Sequence, residues 1–214
     1  MKKYLYILQG ILVIASITIF TGCEVAGLDL QEDEPYDYHV LDPEIDMTAS
    51  EFLYLSRQDT LFQLMQQGIE YAGLTEEYSK PDRTFLFLAN EAILRYNVDG
   101  TVNEDCYFGY HKVNGEPAAG WEDYAVEDVR DFFLYHIIEG SYSYDNLTPE
   151  NTEVATLLNS ENNKAYMKIM NARNSKLRVN DIPFTPRFIE ARTSNIQSTN
   201  GIIHVFNGFI EPVP

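Results

Sequence analysis

The sequence predicts an α+β fold. Helical spacing of apolar residues dominates the first part of the folded region, period-two alternation takes over in its C-terminal third, and no segment repeats. Helices early and strands late describe a single domain in which helices pack on a sheet. With 214 residues, 45% of them hydrophobic and 13% aromatic, the chain can fill a core, and disorder throughout is excluded.

The chain opens with Lys2 and Lys3, then an almost wholly apolar run from Leu5 to Phe20 interrupted by Gln9. This is the pattern of a signal peptide. Phe20-Thr21-Gly22-Cys23 resembles the bacterial lipobox, with Phe20 where Leu is usual, so Cys23 is the expected lipidation site and residues 1–22 the expected leader. Its loss removes two lysines and takes the net charge from −18 to −20. Residues 23–47 then carry nine acids, no Lys or Arg, and Pro35 and Pro43, which reads as an extended acidic tether. This stretch also resembles the surface-export signal of Bacteroidetes lipoproteins, and reads equally as a solvated spacer. The expected location is the cell envelope, at the outer membrane and open to surface exposure, with the membrane reached through lipid on Cys23.

The folded region is expected over residues 48–214. Thr48-Ala49-Ser50-Glu51 has the form of a capping box. The helix after it turns Leu61, Leu64, Met65, Ile69 and Ala72 inward and ends at Gly73. Thr84–Leu88 is an apolar strand, followed by a helical turn at Asn90–Leu94. Residues 97–121 are rich in Asn, Asp, Gly and Pro and read as a loop or inserted hairpin. Asp123 is placed to cap a second helix, with Val126, Val129, Phe132 and Phe133 inward, that stops near Tyr135. Met167 and Ile169 alternate with Tyr166 and Lys168, and Leu177 and Val179 with Lys176 and Arg178, so two strands follow. Ile202–Phe206 and Phe209-Ile210 read as strands joined by Asn207-Gly208. Asn200-Gly201 reads as a turn that tolerates positive φ, and Pro212 as the end of the last strand.

The chemistry that these residues exclude is broad. A net charge of −18 opposes any function resting on phosphate neutralisation, so nucleic acid is not an expected partner. His39, His111, His136 and His204 lack zinc-site spacing, Cys106 has no ligand partner nearby, and no metal or other cofactor is expected. A calcium-loop register centred on Gly100 places Asn97, Asp99, Val102 and Asn103 at ligand positions, but Arg95 and Cys106 fall at the first and twelfth, where charged oxygens are required. There is no nucleophile elbow, phosphate loop or dinucleotide fingerprint. Paired acids such as Glu122-Asp123 and Glu127-Asp128 leave a hydrolase formally open, and in a chain with 33 acids they read as a solvated helix face.

Three segments together resemble the fasciclin-type domain, the module of fasciclin I and periostin. Thr199-Asn200-Gly201-Ile202-Ile203-His204-Val205-Phe206, followed by Phe209-Ile210-Glu211-Pro212, resembles its last motif. Tyr135-His136-Ile137-Ile138-Glu139-Gly140 resembles its central Tyr-His motif. Thr84–Ile93 lies without gaps on Thr-Val-Phe-Ala-Pro-Thr-Asn-Glu-Ala-Phe, with Leu88, Ala89 and Ile93 replacing Pro, Thr and Phe. The resemblance implies a β-wedge or sandwich with helices packed over it, working outside the cell in adhesion without catalysis. It makes Asn200, Gly201, His204 and Pro212 structural motif residues and Tyr135, His136, Asn195 and Ile196 candidate binding residues. Tyr135-His136 is open to two readings, contact with an integrin-like partner or a hydrogen-bonded place in the core. Asn195-Ile196 stands where matrix members have Asp-Ile, so the carboxylate for metal-assisted contact is missing.

Charge adds one more candidate. Residues 114–160 hold ten acids and one base, whereas 161–192 hold seven bases and three acids. Lys164, Lys168, Lys176 and Arg178 would share a solvent face near Tyr166, with Lys168 and Arg178 as candidates for an anionic polysaccharide or acidic partner; the alternative is that these cations balance the acidic helix of the same domain. The expected function is a cell-envelope lipoprotein presenting a non-catalytic adhesion or recognition domain to an extracellular protein or polysaccharide. The alternative is an accessory polysaccharide-binding lipoprotein of a glycan uptake system, for which Tyr107, Phe108, Tyr110 and Trp121 would have to be exposed platforms.

Overall fold

The continuous apolar run read as a strand is β3, Arg83–Leu88, and every side chain from Thr84 to Leu88 is buried. A strand covered on both faces needs no polar alternation. In the computed structural model, which describes residues 24–25, 28–29, 42–55, 60–171, 175–183 and 188–213, the chain divides into units Met1–Leu41 and Asp42–Pro214. The first contains β1 (Glu24–Val25) and β2 (Leu28–Asp29), paired antiparallel. The leader, Cys23 and the rest of the acidic stretch up to Leu41 lie outside the described residues.

The second unit holds one mixed sheet. Its strands are β3, β4 (Ile137–Glu139), β5 (Thr152–Ala155), β6 (Lys164–Ile169), β7 (Leu177–Val179), β8 (Ile189–Ser198) and β9 (Gly201–Phe206), in the spatial order β4-β3-β9-β8-β7-β6-β5. Only β3 and β9 run parallel, with Phe85 beside Ile203 and Leu86 beside His204. The outer strands come back together: Ile138 bridges Thr156, and Leu157 N donates to Ile137 O at 2.8 Å. This contact curls the sheet into the expected wedge.

The unit starts before Thr48. Ile45 N donates to Gln197 O, Gln197 N to Pro43 O and Thr199 N to Met47 O, so residues 43–47 are bonded along β8 and its turn. The capping box then forms as read, with Glu51 N donating to Thr48 Oγ1 and Thr48 N to Glu51 Oε2. The single helix expected up to Gly73 is two, α1 (Ala49–Leu55) and α2 (Gln63–Tyr71), the latter entered through a 3₁₀ turn at Thr60–Phe62. Gly73 follows α2 at φ 66°, the left-handed stop its position predicted. Next come α3 (Asn90–Ile93), α4 (Tyr107–Tyr110) within the expected loop, and α5 (Val126–Tyr135).

Helices α2 and α5 meet at Gly68. A Cβ there would lie 2.4 Å from the Phe133 ring and 2.7 Å from that of Trp121, so glycine is what lets both rings reach the helix backbone. Trp121 Nε1 also donates to Leu64 O at 2.7 Å. Under the sheet, Tyr78 stacks on Phe85 at 5.5 Å and Phe62 meets Phe87 edge-on at 5.4 Å.

Four local expectations are corrected. Val126 is exposed, because the first turn of α5 overhangs the core. Asp123 caps the 3₁₀ turn Trp121–Asp123, accepting from Ala119 N and Gly120 N, and Ala125 stands at the start of α5. Phe209 and Ile210 are buried without forming a strand, since Ile210 N is taken by a side chain, His136 Nε2. Asn200 and Gly201 have no positive φ; glycine is required at 201 because a Cβ would lie 2.0 Å from Arg83 O across the parallel pair.

Candidate functional site

The residues singled out by motif form the skeleton of the domain. Tyr135 is fully buried, donating its hydroxyl to Lys164 O at 2.9 Å and accepting from Asn180 Nδ2 at 3.0 Å. His136, also fully buried, donates from Nδ1 to Phe132 O at 2.7 Å and accepts at Nε2 from Ile210 N. His204 uses the opposite tautomer, donating from Nε2 to Tyr142 O at 2.9 Å and accepting at Nδ1 from Asn195 N at 3.1 Å. Each ring needs one unprotonated nitrogen, and burial lowers both histidines from 6.5 to about 4. Tyr135 and His136 therefore take the core reading.

Asn195 sits in a bulge of β8 with φ 64°, a conformation Asn tolerates, and its Oδ1 accepts from Tyr144 N. Ile196 returns the strand to register opposite Ile203 and is half-buried. Asn200 is a buried three-way clamp: Oδ1 accepts from Ala49 N at 2.7 Å, and Nδ2 donates to Tyr78 O and Lys80 O. Pro212 is exposed just past the last buried residue, Ile210.

The basic face exists, but its cations are matched one by one. Lys168 pairs with Asp181 at 2.8 Å, Arg178 bridges Asp181 and Glu190 at 3.0 Å each, Lys176 pairs with Glu190, and Lys164 pairs with Glu153 at 2.7 Å. Their hydrogen bonds hold the carboxyls of Asp181 and Glu190 below the usual range. The partners are acids of the same sheet region, not of the acidic helix. In the loop around Gly100, Asp99 Oδ1 accepts from Thr101, Asn97 Oδ1 from Asn103 Nδ2 and Asn103 Oδ1 from Arg95, so these oxygens serve the loop's own donors. Cys106 is a buried free thiol that donates to Asn103 O. Of the proposed glycan platforms, Tyr107, Phe108 and Trp121 are buried and Tyr110 alone is exposed.

One groove of about 390 Å³ lies outside this skeleton, between α4, α5 and the C-terminal segment, and residues from Leu158 to Asn162 form its far wall. Its base is aromatic. Tyr107 lies 4.2 Å from Phe132 and 5.6 Å from Tyr124, ring centre to ring centre. Its rim is acidic: Asp128 and Asp131 stand three residues apart on α5, on the side of Phe132, and Glu211 accepts from or pairs with His111 Nε2 at 2.6 Å. Tyr124 OH donates to His111 O, which fixes the chain leaving α4. Burial, then the charges of Tyr124, Glu211 and Asp128, raise the Tyr107 phenol well above its ordinary range. Sequence reading named Tyr107 but missed His111 as a groove residue, and Asp128, Asp131 and Glu211. The signal for part of it was present, since Asp128, Asp131 and Phe132 share a helix face.

Among the described residues no three His, Cys, Asp or Glu side chains converge to hold a metal ion, and no helix is long and apolar enough to cross a membrane. A family model described as the fasciclin domain matches residues 60–212. Among solved structures, a FAS1 domain pair from the insect cell adhesion molecule fasciclin I is similar, with TM-score 0.52 and 11% identity over 77% of this chain and 51% of that one. The present chain thus spans about half the length of that relative. A comparison with curated proteins finds no match.

Proposed function

This chain belongs to the fasciclin domain family, and from that premise we propose that it is a non-catalytic adhesion or recognition module carried at the cell envelope. The observation that supports this most directly is the use made of the motif side chains. Tyr135, His136, Asn200 and His204 are enclosed and bonded to the domain's own backbone, with both histidines neutral. A general base must be reachable by substrate and poised near the working pH. These residues meet neither condition, and what the domain offers outward is shape and charge. The glycan-uptake reading is not favoured by any comparable observation, because three of its four aromatic platforms are buried.

Lipid on Cys23 would hold the module at the membrane, each buried CH₂ contributing about 0.8 kcal/mol, so that several acyl chains anchor it durably. An acidic stretch after the anchor would keep it clear of an anionic surface. Two measurements test the proposal. The full chain is probed on arrays of matrix proteins and glycans and with chromogenic glycoside and ester substrates; binding without turnover is expected, and turnover that survives purification would overturn it. Alkynyl-palmitate labelling of cells should mark the wild type and not Cys23→Ala, and labelling of both would remove the anchor.

A further inference from the structure

We propose that the groove between α4, α5 and the C-terminal segment takes the cationic side chain of an arginine or lysine presented by a partner protein. The inference rests on the recognition reading above and names its ligand chemistry.

Charge comes first. Asp128, Asp131 and Glu211 line the groove, and among the described residues no Lys or Arg does. Asp128 and Asp131 are exposed, and neither is in an ion pair with a described residue, whereas Glu153, Asp181 and Glu190 on the sheet each have a cation. In a domain that pairs those acids, this pair stands open. The acids do not converge on one point, as a metal ion would require. They are spread around ring faces, an arrangement suited to an extended organic cation, which gains from both the carboxylates and the rings.

The second observation is independent of charge. Tyr107 is only 6% exposed, lines the groove, and its hydroxyl has no hydrogen-bond partner among the described residues. Buried polar groups of native proteins are nearly always paired, and leaving one unpaired costs about 1–3 kcal/mol. A guanidinium or ammonium entering over Phe132 would donate to that oxygen. The raised pKa keeps the phenol neutral, so it can accept from the cation while donating to a rim carboxylate. The volume, about 390 Å³, is at the lower end for small-ligand sites and matches one long side chain better than a sugar chain.

The test uses the full chain in detergent and two labelled peptides, acetyl-(Gly-Arg)₃-amide and its citrulline counterpart, which keeps shape and removes charge. Arginine should bind at least ~10-fold tighter than citrulline, about 1.4 kcal/mol. Asp131→Asn combined with Glu211→Gln should abolish that preference. Glu76→Gln combined with Glu139→Gln removes the same charge outside the groove and should change affinity less than ~2-fold. Tyr107→Phe, which keeps the ring, should weaken arginine binding by about 5-fold, the scale of one hydrogen bond. Equal losses from the two double variants would mean attraction by net charge alone and would overturn the proposal, as would citrulline binding as well as arginine. If the peptides fail while the chain still binds a matrix protein on the array, the groove assignment falls and the recognition reading stands.

Discussion

The backbone N–H of Asn195 points at Nδ1 of His204, 3.1 Å away, across the bulge where His204 stands opposite two residues of β8. Thr193 pairs with Val205 and Ile196 with Ile203, so Ser194 and Asn195 share one partner, and the amide they leave over is taken by the imidazole. Two residues marked by family motifs thus meet, and their meeting is structural. The left-handed conformation of Asn195, φ 64°, is the condition for it. Asn195→Val should destabilise the domain by about 2 kcal/mol, combining a left-handed β-branched residue with the lost bond to Tyr144 N. Asn195→Gly should cost less, and urea midpoints of the pair would check the order.

Acid should weaken the domain in a window set by its histidines. Burial lowers His136 and His204 from 6.5 to about 4, so between those values the unfolded chain binds protons that the native one refuses. The stability they contribute is complete above about pH 6.5 and is lost as pH falls toward 4. A lowering of that size corresponds to roughly 3 kcal/mol for each histidine. Denaturant unfolding from pH 7 to 4 should show this slope, and His204→Gln should be less stable at pH 7 but lose less on acidification.

Asn200 and Gly201 tie the first helix to the sheet. Asn200→Ala removes the acceptor of Ala49 N and the donor to Tyr78 O and Lys80 O, and should cost about 3 kcal/mol or more. Gly201→Ala places a methyl against Arg83 O in the parallel pair and should prevent accumulation of folded protein. Circular dichroism and protease resistance of the two variants check this.

Charge reversal on the basic face should act on stability and not on binding. Lys168→Glu with Arg178→Glu leaves Asp181 and Glu190 facing like charges and should lower stability by about 1–2 kcal/mol, the pairs being partly exposed. Binding to anionic glycans per folded molecule should be unchanged, and a selective loss of that binding would restore the face as a site.

What could be read from the sequence was local. The capping box, the stop at Gly73, the buried run of β3 and the alternation of β6 and β7 are patterns that a few residues complete by themselves. The role of His136 was open, since its partners are Phe132, on its own helix, and Ile210, 74 residues away. The tail Phe209-Ile210 looked like a strand because its apolar character signals burial, and burial was achieved with a histidine in place of a ladder. The groove is assembled from α4, α5 and the C-terminal segment, with His111 and Glu211 100 residues apart, a separation that no local pattern spans.

The central claim is that the motif residues hold the fold and the groove makes the contact. Binding per folded molecule to matrix proteins on the array, measured side by side for Tyr135→Phe and for Asp131→Asn combined with Glu211→Gln, tests it most directly. Tyr135→Phe should lose stability, with its bonds to Lys164 O and Asn180, and keep binding; the groove variant should keep stability and lose binding. The reverse pattern, binding lost at Tyr135 and retained without the groove acids, would contradict it.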